Sequence, residues 1–234
     1  MPSSSKPSTA LILGASRGLG LALAEEYLKR GWHVIATKRG SAHSGLDALR
    51  ERATDRLEIE SLDIVETDQV AALQRRLDGR LIDLLFVNAG VSLGFADTVA
   101  TVSTEDFVRL MVTNALAPLR AIEALQGLVP PTGTIAVMSS VLGSVAENEH
   151  GAWEVYRASK AALNTLLRSF AARHVGDPRT LLAIAPGWVR TDMGGPSADL
   201  SIEESIPRVV DLVTRETGKP GLQYLEYQGR RIAW

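Results

Sequence analysis

The sequence contains no cysteine. Disulfides, thiol nucleophiles and thiolate metal sites are thereby excluded, and a reducing compartment is compatible with the chain. An excess charge of either sign is also missing: 25 Lys and Arg stand against 27 Asp and Glu, a formal net charge of −2. A nucleic-acid binder concentrates Lys and Arg on one face, so no nucleic-acid partner is expected. No apolar stretch approaches the roughly 20 residues that cross a bilayer, so no membrane partner is expected either. The four histidines, His33, His43, His150 and His174, are scattered without ligand spacing, and no metal is expected. There is no internal repeat, low-complexity tract or linker. Residues 1–8 are polar and lack the apolar core of a signal peptide, because the run that follows stops at Gly14. They read as a flexible tail on a cytoplasmic protein.

What is present is alternation. Short β-prone apolar runs occupy 9–13, 33–37, 56–61, 82–87, 133–138, 180–185 and 222–227. Between them lie stretches with helical spacing at 19–29, 45–53, 67 to about 77, 104–125, 153–174 and 201–214. Thr67 is expected to cap the third of these helices, and Ser103 or Thr104 the fourth. Strands alternating with helices of this length imply βαβ units. The expected fold is α/β: a single doubly wound, Rossmann-like domain over 9–234 with a seven-stranded parallel sheet and helices on both faces. In such folds ligands bind beyond the carboxyl ends of the strands, which directs attention to the residues after Leu13, Val87, Met138 and Ala185.

The first of these ends carries Gly14-Ala15-Ser16-Arg17-Gly18-Leu19-Gly20, a glycine loop that opens a helix. Glycines let the backbone turn sharply and approach a pyrophosphate, and the helix start offers free N–H groups to the anion. Tight strand–helix packing is the competing account. Lys38 and Arg39 follow the second strand, where a carboxylate would bind the ribose hydroxyls of NAD. With Arg17 they make that position basic, which favours a 2′-phosphate and hence NADP(H), NAD(H) remaining possible. Ordinary solvated loop charges are the alternative. Asp63 and Ile64, ending the third strand, are placed at the adenine edge, with an acidic helix cap as the equal alternative for Asp63.

Further along stand Asn88-Ala89-Gly90, Asn114, Ser139-Ser140, Tyr156-x-x-x-Lys160 and Pro186-Gly187-Trp188-Val189-Arg190-Thr191. Together with the glycine loop, these motifs resemble the short-chain dehydrogenase/reductase family, in the family's order and over nearly the whole chain. Gly143-Ser144, the continuous 156–164 and 187–195 segments and Gly229-x-x-x-x-Trp234 resemble the branch of C-factor-like proteins and sniffer-like carbonyl reductases. Two positions depart: Leu13 stands where the family has a Thr that braces the loop, and Val87 where it has Asn. Fifteen residues separate Ser140 from Tyr156, a few more than is usual.

The resemblance implies an NADP(H)-dependent oxidoreductase moving a hydride between nicotinamide and a carbonyl or alcohol carbon, with a small carbonyl or alcohol as substrate. Tyr156 would be the general acid and base, its pKa lowered from about 10 by the Lys160 ammonium and the oxidised nicotinamide. Ser140 would donate to the substrate oxygen, with Ser139 as scaffolding. Asn114, a poor helix former with Pro118 four residues on, would hold a water in a relay to Lys160, or merely mark a kink. Lys160, Asn88, Ala89 and Gly90 would hold the cofactor's nicotinamide half with Tyr156, Pro186, Gly187, Val189 and Thr191. Glu147, Asn148, Glu149, His150 and Trp153 form a polar loop, some of which could line the entrance. A homodimer or homotetramer through the two long helices is expected. A dinucleotide-binding regulator without catalysis is the reading from another class.

Overall fold

The computed structural model describes residues 7–93 and 98–234. Its elements are β1 (Thr9–Leu13), α1 (Gly18–Lys29), β2 (His33–Lys38), α2 (Gly45–Arg52), β3 (Leu57–Ser61), α3 (Thr67–Arg76) and β4 (Leu84–Val87). They continue with α4 (Thr104–Met111), α5 (Ala117–Leu125), β5 (Thr134–Met138), α6 (Glu154–Arg173), β6 (Thr180–Ala185), α7 (Ile202–Glu216) and β7 (Gly221–Glu226). Most of the expected tail, residues 1–6, lies outside the described residues. The carbonyl of Ser8 already accepts the His33 N–H at 2.9 Å, so the chain is paired just before β1 begins.

The seven strands form one parallel sheet in the order β3-β2-β1-β4-β5-β6-β7. Side chains alternate across it, as period 2 demands. Leu11, Leu13, Leu85, Val87, Ile135 and Val137 bury against α3, α5 and α6. Ala10, Ile12, Leu84, Phe86, Ala136 and Met138 bury against α1, α2 and α7. With both faces covered, the central strands are apolar throughout, which is why they read as continuous runs. The strand order reverses between β1 and β4. Ligands of open α/β sheets settle at such a reversal, and here Gly14 lies on one side of it and Asn88 on the other.

Two helix expectations are corrected. The helix over 104–125 is not continuous: Val112–Leu116 forms a π turn, closed by the Ala117 N–H on the Val112 carbonyl. Pro118 has no N–H to give the Asn114 carbonyl, so the regular ladder cannot run through this point. Of the two expected caps, Ser103 is the one used, accepting the Asp106 N–H at 3.0 Å. Thr67 is the first helical residue of α3 and not its cap; Glu66 holds the cap position, without a side-chain bond.

Candidate active site

The glycine loop is built by close backbone approach. Gly14 has φ +86°, and a Cβ on it would lie 2.7 Å from the Ala89 Cα. A Cβ on Gly20 would lie 2.1 Å from the Gly14 carbonyl oxygen. The Asn88 amide donates to that same oxygen at 2.7 Å and so ties the β1 and β4 loops across the reversal. The brace lost with Leu13 is present in another form: the Gly14 N–H donates to the hydroxyl of buried Thr37 at 2.9 Å. Sequence reasoning missed Thr37, because nothing local marks a strand Thr whose partner is 23 residues away. No side chain caps the start of α1 at Arg17, so its first N–H groups remain available to an anion. These features fit a pyrophosphate: a cradle that any Cβ would fill, opening onto a helix start. Ser16, Gly18 and Leu19 are half-buried around it.

The basic cluster divides. Lys38 donates to the Asp47 carboxylate at 2.6 Å and to the Ala42 carbonyl at 2.9 Å. Asp47 also closes the capping box of α2 with Ser44. Lys38 and the Ser44 N–H hold this carboxyl well below the usual carboxylate range. Lys38 is therefore a strut between β2 and α2. Arg39 is exposed, and Arg17 pairs with Asp192 beyond β6. At the end of β3, Asp63 accepts the Val65 N–H at 3.2 Å and closes its own turn. Ile64 is buried in the core, which leaves its backbone alone for a ligand.

The reacting end is drier. Asn114 is fully buried in the π turn; its amide accepts the Val91 N–H at 2.8 Å and donates to the Val91 carbonyl at 2.8 Å and the Ser159 hydroxyl at 3.0 Å. Lys160, only 3% exposed, donates to the Met138 carbonyl at 2.9 Å. Burial pushes its pKa down to about 8. A Cβ on Gly90 would lie 3.3 Å from the Asn114 Oδ1 and 3.5 Å from the Lys160 Nζ, so Gly90 packs against both. The Lys160 ammonium lies 5.7 Å from the centroid of the Tyr156 ring. In the chain alone the Tyr156 phenol is pushed above the ordinary tyrosine range, first by burial and then by Tyr224. Desolvation here penalises the phenolate; the expected lowering draws on the oxidised nicotinamide as well as on Lys160, whose ammonium is bonded to Met138.

Ser139 donates to the Asn164 Oδ1 at 2.7 Å, and Asn164 donates to the Gly143 carbonyl at 3.1 Å. The Ser140 Oγ accepts the Leu142 N–H at 3.1 Å and keeps its own hydrogen to give. Tyr224 on β7 donates to the Ser140 carbonyl, a contact across 84 residues that no sequence pattern announces. Glu147 is tied to the C-terminal segment. Its carboxylate takes Arg230 at 3.1 Å and the Ala233 N–H at 3.1 Å, and these partners hold its pKa below the usual range. After β6, the Pro186 carbonyl accepts from Ser205 at 2.7 Å. A Cβ on Gly187 would meet Leu200 at 2.5 Å. Val189 is buried, and the Thr191 hydroxyl accepts the Gly194 N–H at 3.0 Å. A Cβ on Gly18 would lie 3.9 Å from Thr191, so this loop meets the glycine loop. Among the described residues no three His, Asp or Glu side chains gather to hold a metal. No helix among them is long and apolar enough to cross a membrane.

A parallel sheet with a glycine cradle at its reversal, and buried Asn114 and Lys160 beside a half-buried Tyr156, defines a dinucleotide-dependent oxidoreductase of the α/β class. The sequence pattern of the short chain dehydrogenases matches residues 8–201, and the chain belongs to that family. A short-chain dehydrogenase/reductase from Burkholderia multivorans, solved with bound NADP, is 54% identical with a TM-score of 0.96, over 98% of this chain and 100% of that one. The carbonyl reductase Sniffer of D. melanogaster is 27% identical with a TM-score of 0.88, over 98% and 100%. The C-signal protein of Myxococcus xanthus is 34% identical over 158 residues, 65% of this chain and 93% of that one.

Proposed function

We propose that the chain is an NADP(H)-dependent carbonyl reductase in which Tyr156 is the general acid. The observation that carries this reading is buried Asn114 and Lys160, packed on Gly90 and set beside Tyr156. A dinucleotide-binding protein without catalysis needs the ribose contact of Lys160, but not the Tyr156 phenol placed beside it. The NADP-bound relative from Burkholderia multivorans supports the cofactor. The Gly14–Gly20 cradle and the first turn of α1 would hold its pyrophosphate. Arg39, and Arg17 once released from Asp192, would meet a 2′-phosphate. Asn88, Gly90 and Lys160 would hold the second ribose, and Val189 and Thr191 the carboxamide. When bound, the nicotinamide supplies a hydride to the carbonyl carbon.

The chain does the rest. The Ser140 Oγ–H donates to the carbonyl oxygen, where negative charge develops. Tyr156 Oη gives that oxygen its proton; with its pKa raised, the phenol is fully protonated at neutral pH, as reduction needs. Lys160, an ammonium below about pH 8, stabilises the phenolate left behind. The Asn114 carbonyl loses its i+4 donor to Pro118 and would hold a water on the path by which Tyr156 regains a proton. We further propose that a second copy of the chain packs on α4, the π turn and α6, where Met111, Leu116, Ala162 and Leu166 line an apolar groove of about 350 Å³.

The test is NADPH consumption against aldehydes, ketones and quinones, with NADH in parallel. Turnover that prefers NADPH supports the reading. Tight NADPH binding with no turnover on any carbonyl would transfer the weight to a regulatory dinucleotide-binding protein. Light scattering of the purified chain gives the mass that decides the pairing.

A further inference from the structure

Trp153 stands at the start of α6 with φ 63° and ψ 32°, the left-handed region. Every other described residue with positive φ is a glycine, twelve in all, including Gly151 two residues earlier. A bulky side chain there is strained, because its Cβ crowds the backbone. The strain is held in place from both sides. Arg157 donates its Nε to the Ala152 carbonyl at 2.7 Å and its N–H to the Trp153 carbonyl at 2.8 Å. Glu154 accepts the Val99 N–H at 2.9 Å. The result is an indole set edge-on to the Tyr156 ring, centroids 6.2 Å apart and planes at 66°. Persistent strain at such a place signals a positional requirement for the side chain.

The surroundings match. Large exposed apolar side chains recur in the loops that follow β5 and β6: Val145, Trp188 and Met193. Single exposed apolar residues need no explanation, but these share the sheet edge that carries the reacting groups. Trp188 is fixed by its indole N–H, which donates to the Gly194 carbonyl at 2.9 Å.

We infer that Trp153 is a specificity-determining wall, which selects carbonyl compounds carrying a flat aromatic group and seats them beside Tyr156. The inference rests on the proposed role of Tyr156. A carbonyl oxygen within reach of the phenol places its substituents against whatever flanks that ring, and the half-buried indole flanks it. Aromatic pairs prefer this edge-on or offset contact, so a flat ring gains more there than an aliphatic chain.

The test compares 4-nitrobenzaldehyde with glyceraldehyde as substrates of the full chain with NADPH, for wild type, Trp153→Gly, Trp153→Phe and Tyr156→Phe. Glycine accepts the left-handed backbone without strain, so Trp153→Gly keeps or raises the thermal midpoint. The ratio of kcat/KM, aromatic over aliphatic, is expected to fall about tenfold in Trp153→Gly, through KM for the aromatic aldehyde. Trp153→Phe restores most of the ratio. An unchanged ratio in Trp153→Gly, or equal losses on both aldehydes, overturns the assignment and leaves Tyr156 untouched. A wild type inactive on both aldehydes, or a Tyr156→Phe as active as wild type, overturns the proposed function and this inference with it.

Discussion

The two ends of the proposed site are built on opposite principles. At the proposed adenosine end, beside β2, the polar groups are charges, and several are already paired: Lys38 with Asp47 in a largely buried pair, Arg17 with Asp192 in an exposed one. At the reacting end, beside β5 and α6, the polar groups are buried and satisfied by short neutral bonds: Asn114 with Val91 and Ser159, Ser139 with Asn164. Exposed pairs are screened and contribute little, whereas buried groups shift their pKa and destabilise the fold when a partner is removed. One end is thus suited to adjustable recognition, the other to a fixed geometry in which proton affinities are set by desolvation.

The contrast can be broken most directly at Tyr156. Tyr156→Phe removes the proposed proton donor and should lower kcat about a thousandfold with NADPH affinity retained. Retained turnover in a steady-state assay would show that the dry end does not supply the acid. Lys160→Met comes next. The folded pKa of Lys160, about 8, lies below the free value of 10.5, so the unfolded chain binds the proton more tightly. The resulting penalty is present in full below pH 8 and disappears as the pH rises through 8 to 10.5. Lys160→Met should therefore lose activity, and its stability relative to wild type should decline from pH 7 toward pH 10, the lost bond to the Met138 carbonyl being a constant offset. Urea unfolding at both pH values measures it, and a relative stability that rises with pH refutes the sign.

Asn114→Ala leaves the Val91 backbone groups and the Ser159 hydroxyl short of partners, and should destabilise the chain by about 2–3 kcal/mol in the same urea assay. The wet end should respond less. Arg39→Ala should reduce the preference for NADPH over NADH about tenfold, an effect that shrinks as salt is added. Lys38→Met should be the mildest, leaving the KM for NADPH within about twofold because its ammonium is already held by Asp47. A loss in Lys38→Met as large as in Arg39→Ala would show that the Asp47 pair opens for the phosphate.

Much of this was legible in the linear chain. Strand β1 and strand β6 fall where their apolar runs fall, because a strand covered on both faces has no polar alternation to blur its ends. The glycine loop was legible because only glycine fits where Gly14 meets Ala89. The kink near Asn114 was foreseeable from Pro118, although its form as a π turn was not.

Sequence by itself determined the alternation of strands and helices, the glycine cradle and the family, since each rests on local pattern or on spacing within one element. Only tertiary structure decided which groups are free and which are committed. Lys38 and Arg39 are adjacent cations in the chain, yet Asp47 takes one of them. Tyr156 and Lys160 stand one helical turn apart, yet the burial that raises one pKa and lowers the other comes from segments distant in the chain, among them Met138 on β5 against Lys160 and Tyr224 on β7 near Tyr156. Thr37, Tyr224 and the Glu147–Arg230 pair act on residues far along the chain, where no local pattern points. Hydrogen-bond partners and desolvation depend on which segments meet in space, and packing alone decides that.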